Sequence, residues 1–128
     1  LAYAKQLLCF SYKNGVWTEN PSARLKFDKL VHPDLHFAFP VTTTDRIKTK
    51  PVSDLFIEEW RQFVLENPYR NVFDWMQYLG IEKKQGQIGV DEAQLILKKL
   101  SLKAYEGTFK VLIVWMAEKM NTSAANKL

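Results

Sequence analysis

The chain has 128 residues, 47% apolar and 25% charged, with 18 lysines and arginines against 14 acids and a net charge of +4. That length holds one domain, and that composition excludes a disordered chain, a collagen-like chain and a disulfide-rich miniprotein. The basic excess is mild, compatible with nucleic acid nearby without requiring it. The single cysteine, Cys9, excludes an internal disulfide and a zinc site built on several cysteines. The longest apolar run, Val111 to Ala117, has seven residues, against roughly 20 needed to cross a bilayer. A soluble, cytoplasmic protein with no membrane contact is expected.

Leu1 to Leu8 reads as the middle of a helix, with Leu1, Ala4, Leu7 and Leu8 on one face and no N-cap before them. Residues 13–22, with Asn14-Gly15 and Asn20-Pro21-Ser22, carry turn chemistry without hydrophobic period. Lys26 to Leu30 predicts a short helix that must end before Pro33. Leu35 to Val41 predicts a strand, and the polar segment Thr42 to Pro51 a surface loop. Ser53 is expected to cap a helix running to about Glu66, with Val52 and Ile57 as a hydrophobic staple and Phe56, Trp60, Phe63 and Val64 as its apolar face.

Asn71 is expected to cap a helix bearing Val72, Trp75, Met76 and Leu79, with Gly80 at its C′ position. Asp91 opens the clearest helix. Gln94 completes a capping box there, Val90 and Leu95 a staple, and Ala93, Ile96, Leu97 and Leu100 an apolar stripe. After a turn at Tyr105-Glu106-Gly107, the continuously apolar Val111 to Trp115 predicts a strand buried on both faces. Asn121-Thr122-Ser123 starts a last helix that runs out of sequence. The two ends together predict a piece of a longer protein. Strands separated by helices, with no repeat between them, predict an α/β fold whose parallel sheet is flanked by helices.

The residue chemistry names no reaction. No G-x-x-x-x-G-K-[ST] phosphate loop is present among the 128 residues. His32 and His36 flank Pro33, which denies them a common helix face, so they are expected to be structural or surface residues. Cys9 is expected to be a buried, inert thiol. The adjacent pairs Glu58-Glu59 and Asp91-Glu92 diverge on a helix and read as solvated charges. Lys48, Lys50, Lys98, Lys99 and Lys103 read as solvated surface rather than as phosphate contacts. Trp60 and Trp75 read as core rather than as base-stacking platforms.

Longer segments carry more. His32-Pro33-Asp34-Leu35-His36-Phe37-Ala38-Phe39-Pro40-Val41, then Gly89-Val90-Asp91-Glu92-Ala93-Gln94, then Tyr105-Glu106-Gly107-Thr108-Phe109-Lys110-Val111-Leu112-Ile113-Val114 stand in order along the chain. Ala117-Glu118-Lys119-Met120-Asn121 and Ala124-Ala125-Asn126-Lys127-Leu128 follow them. In this order they resemble the delta prime family of bacterial DNA polymerase III clamp-loader subunits. The resemblance implies a partial AAA+ (P-loop NTPase-like) domain over residues 1–128, with about 42–87 as a helical insert and the phosphate-loop segment lying before Leu1.

The same resemblance implies which residues are out of place. The Walker B-like positions, an Asp-Glu pair in active AAA+ proteins, are Trp115 and Met116 here. Neither side chain can ligate a hard cation or act as a general base. Many relatives carry a four-cysteine zinc module between the first helix and the His-Pro-Asp segment. Cys9 matches only its first position, so neither metal nor cofactor is expected.

The function implied is that of a non-catalytic scaffold in DNA replication, helping to load the sliding clamp onto primed DNA. Its partners would be other clamp-loader subunits, with DNA contacted indirectly or weakly. The alternatives are an ATP-binding motor subunit of the gamma/tau type or another nucleotide-dependent enzyme, truncated at its start. An α/β interaction module is the plain third reading. An unpaired edge of the strand ending at Trp115 leads to the further expectation that the isolated chain forms a homodimer.

Overall fold

The computed structural model describes residues 1–81, 83–105 and 109–128; of the turn expected at Tyr105-Glu106-Gly107, only Tyr105 lies within them. The architecture is mixed α/β. The chain divides into two compact units, Leu1–His36 with Leu102–Ile113, and Phe37–Ser101 with Val114–Leu128.

The first unit begins with α1 (Ala2–Cys9), whose Ala4 and Leu8 are buried. A hairpin of β1 (Phe10–Lys13) and β2 (Val16–Glu19) follows, where the sequence suggested only turns. Its loop is Asn14-Gly15, with φ of 52° and 79°, the two positive φ values that a two-residue hairpin connection needs. The register pairs Phe10 with Glu19, Ser11 with Thr18, Tyr12 with Trp17 and Lys13 with Val16.

The next helix, α2 (Pro21–Asp28), starts five residues earlier than expected. Asn20 caps it by accepting from the Ala23 N–H (3.2 Å), and Pro21 occupies the first turn, where a missing N–H costs nothing. It packs on α1, burying Ala23 and Phe27, with a Lys5–Asp28 ion pair of 2.9 Å alongside.

Strand β3 (Leu35–Ala38) pairs with β4 (Val111–Val114) in a two-stranded sheet. The ladder is parallel, since Val111 N donates to Asp34 O and Trp115 N to Ala38 O, both at 2.8 Å. The expected strand to Val41 stops at Ala38 for a local reason. Pro40 has no N–H to offer, and the Phe39 N–H turns to the Ser53 hydroxyl at 3.0 Å. Val41 then pairs separately with Gln87 through reciprocal bonds of 3.1 and 3.0 Å. Strand β4 is half-buried along its length, not buried on both faces as its continuous apolar run suggested.

In the second unit a 3-10 turn (Ser53–Phe56) leads into α3 (Ile57–Glu66), followed by α4 (Val72–Tyr78), α5 (Val90–Ser101) and α6 (Thr122–Lys127). Ser53 makes no cap, because its hydroxyl is engaged inside the unit. Asn71 does cap α4, and Asp74 returns the bond, completing a capping box at 2.9 and 3.0 Å. Helix α5 starts at Val90, one residue before Asp91, which places Val90 inside the helix instead of in a staple. Its inward face is Glu92, Ala93 and Ile96, while Leu97 and Leu100 are exposed. The predicted stripe was thus rotated toward solvent. Asn121 caps α6 by accepting from Ala124 N at 2.9 Å.

Gly80 follows α4 with φ of 74° and nothing within 4 Å of an added Cβ. Gly80→Ala therefore meets backbone strain without a clash, and its expected cost is about 1 kcal/mol in chemical denaturation.

The core of this unit is aromatic. Phe39, Trp60, Phe63 and Trp75 are buried together. Trp60 stacks on Phe39 at 4.2 Å and meets Trp75 edge-on at 5.3 Å. The Trp75 indole N–H donates to Pro40 O at 2.8 Å, so the one polar atom of this fully buried side chain is paired.

Candidate functional site

The end of β4 is where the resemblance puts catalytic carboxylates. The Trp115 backbone still belongs to the parallel ladder, through its bond to Ala38 O. Its indole turns onto the aromatic core, 5.1 Å from the Trp60 ring and 6.2 Å from Phe63. The Trp115 ring is therefore half-buried and part of the aromatic packing.

Met116 has φ 58° and ψ 55°, a left-handed conformation that caps the 3-10 turn Ala117–Lys119. Lys119 N donates to Met116 O at 2.9 Å and holds the turn closed. Beyond it, Ile88 N donates to Lys119 O and Asn121 N to Ile88 O, both at 3.0 Å. These bonds lock the segment after β4 against the Gln87-Ile88 bridge. An open cleft of about 420 Å³ beside it is lined by Met76, Gly86, Glu118 and Asn121, among others. That lining offers neither a glycine-rich phosphate cradle nor paired carboxylates.

Cys9 closes α1, and it is fully buried. Burial pushes its thiol pKa above the ordinary value, with nearby Lys5 opposing only in part. The thiolate that would attack or bind metal is thereby disfavoured. Where the resemblance places a zinc module, the chain builds the β1–β2 hairpin and α2. Among the described residues no three His, Cys, Asp or Glu side chains converge on a metal position.

His32 and Asp34 are both buried. Asp34 N donates to His32 Nδ1 at 3.1 Å, and the Asp34 carboxylate accepts from Tyr105 N. The His-Pro-Asp segment thus holds the Tyr105 backbone, a structural task. Lys99 pairs with Asp54 at 2.5 Å, whereas Lys48, Lys50, Lys98 and Lys103 are exposed.

Sequence reasoning missed one polar constellation. Glu92 is buried, contrary to its reading as a solvated charge, and accepts from Ser53 N at 2.8 Å and from the Ser53 hydroxyl. The same hydroxyl accepts from Phe39 N. Desolvation raises the Glu92 pKa, and the Ser53 bonds oppose that rise. The arrangement ties α5 to the start of the α3 segment and to the exit from β3. Being sealed from solvent, it is a structural joint and not a reaction centre.

The described residues form a mixed α/β fold with one parallel strand pair, β3 and β4. The family model described as DNA polymerase III, delta subunit, matches residues 1–128, and the chain belongs to that family. Membership makes it a clamp-loader-type subunit of DNA polymerase III, acting in DNA replication. No curated protein and no solved structure matches the chain. No helix among the described residues is long and apolar enough to cross a membrane.

Proposed function

We propose that this chain is a non-catalytic clamp-loader subunit of the delta prime kind. It contributes a partial AAA+ domain over residues 1–128, with about 42–87 as a helical insert, and helps load the sliding clamp through contacts with its sister subunits. One observation carries the reading. By the resemblance Trp115 and Met116 fall at the Walker B-like positions, and the Trp115 ring lies against Trp60 in the aromatic core. Substituting an acid there removes packing without creating a metal site, since the 128 residues contain no phosphate loop to present a nucleotide.

Two measurements test the proposal. Mixed with a gamma/tau-type and a delta-type subunit, the chain should co-elute in a complex, and light scattering on the same column separates that complex from a homodimer. By calorimetry it should show no saturable ATP binding in the micromolar range, and the double variant Trp115→Asp, Met116→Glu should gain neither binding nor hydrolysis. Stoichiometric ATP binding by the unaltered chain would move the assignment to the motor type, and failure to enter any complex would refute the scaffold role.

A further inference from the structure

We propose that the β1–β2 hairpin is a contact surface for single-stranded DNA, with Trp17 and Tyr12 as the rings on which bases stack. The inference rests on the replication reading for its ligand and deepens it by naming the surface. Of the four tryptophans, Trp60 and Trp75 are buried and Trp115 half-buried, while Trp17 is 48% exposed and its cross-strand partner Tyr12 is 62% exposed. Their ring centroids lie 5.2 Å apart at 53°. Rings so tilted leave much of each other's faces open. A large aromatic pair held in water is costly to keep unless something covers it.

The hairpin is pre-set for such a task. The two-residue turn Asn14-Gly15 closes its tip, and Asn20 N donates to Cys9 O at 2.7 Å across its base. Little conformational freedom then remains to be lost when a base settles on either ring.

Charge selects the ligand. Residues 1–31 hold five lysines and arginines against two acids, whereas the remaining 97 hold thirteen against twelve. Three of the four net positive charges therefore belong to the segment that bears the hairpin. Both acids there are already paired, Glu19 with Arg24 at 2.8 Å and Asp28 with Lys5 at 2.9 Å. A protein interface favours a core poor in lysine; aromatic rings set in a positively charged segment suit a polyanion with stackable faces. In a duplex those faces are already taken, so the strand must be single.

The test uses a fluorescent oligothymidylate of about 20 nucleotides and the whole chain, followed by anisotropy at low salt. Trp17→Ala should weaken binding about tenfold, and Tyr12→Ala by a similar factor, while Trp17→Phe retains affinity within about threefold. Affinity should fall with salt with a log–log slope of about −0.7 for each phosphate neutralised. Photocrosslinking of a bromodeoxyuridine-substituted oligonucleotide to the unaltered chain should map to the peptide holding Tyr12 and Trp17, a readout independent of whether a variant folds. Unchanged affinity in Trp17→Ala, crosslinks confined to other peptides, or no binding at all would overturn the proposal. So would a Trp17→Ala variant that keeps its DNA affinity and loses assembly with sister subunits, which would make the hairpin a protein docking surface. Assembly of the unaltered chain with those subunits is read separately, so failure of the DNA contact leaves the scaffold role standing.

Discussion

Trp75→Ala should lower the stability of the second unit by about 4 kcal/mol. The side chain is fully buried and touches four rings: Phe39 at 5.3 Å, Trp60 at 5.3 Å, Phe63 at 5.0 Å and Tyr78 at 6.2 Å. Removing it opens a cavity that these neighbours, held just after β3 and on α3 and α4, cannot collapse to fill. It also strands the Pro40 carbonyl, whose partner is the indole N–H at 2.8 Å. Trp75→Phe separates the two costs, since it keeps most of the ring contacts and loses the donor, and about 2 kcal/mol is expected. Three of the four tryptophans, Trp60, Trp75 and Trp115, lie in this unit, so urea unfolding followed by fluorescence reports mainly on it. A Trp75→Ala loss below about 1 kcal/mol would mean that the aromatic cluster is not the core of the unit.

The helices were legible because their apolar residues recur at helical spacing. Trp60 and Phe63, then Trp75 and Met76, are buried as that period required, and Asn71 and Gly80 stand at the cap positions their chemistry favours. The hairpin was not legible from hydropathy. All four residues of β2 are exposed, so no inside-outside alternation exists to be detected, and the usable signal was the Asn14-Gly15 pair alone.

Glu92 misled for a different reason. It lies one helical turn before Ile96 and so shares its inward face, but an acid beside Asp91 reads as solvated unless its buried partner is known. That partner, Ser53, is 39 residues away in sequence. Spacing reports which face a residue occupies; it does not report what waits there. The assignment of Trp115 and Met116 to Walker B-like positions rests on the family resemblance alone. The structure shows the Trp115 indole packed against Trp60 and Phe63.

Glu92→Ala should cost about 3 kcal/mol, a large effect for a residue that the sequence places on a helix surface. The Ser53 hydroxyl can turn to Phe39 O, 3.3 Å away, but the Ser53 N–H has no such substitute and would be left buried and unpaired. The pH dependence supplies an independent check. Burial holds the folded-state pKa above the ordinary 4.5 of a glutamate, the Ser53 bonds and Lys99 pulling it down and Asp54 adding slightly to the rise. Between 4.5 and that raised value the folded chain keeps a proton the unfolded chain has released. Stability from this group is therefore fully present below pH 4.5 and is lost as pH rises through the folded pKa. Glu92→Gln keeps an acceptor for Ser53 and cannot titrate, so urea midpoints measured from pH 4 to 8 should decline for the unaltered chain in a way that the variant does not share. Parallel pH profiles for the two proteins, or a Glu92→Ala variant within about 0.5 kcal/mol of the original, would show that the carboxylate is solvated after all.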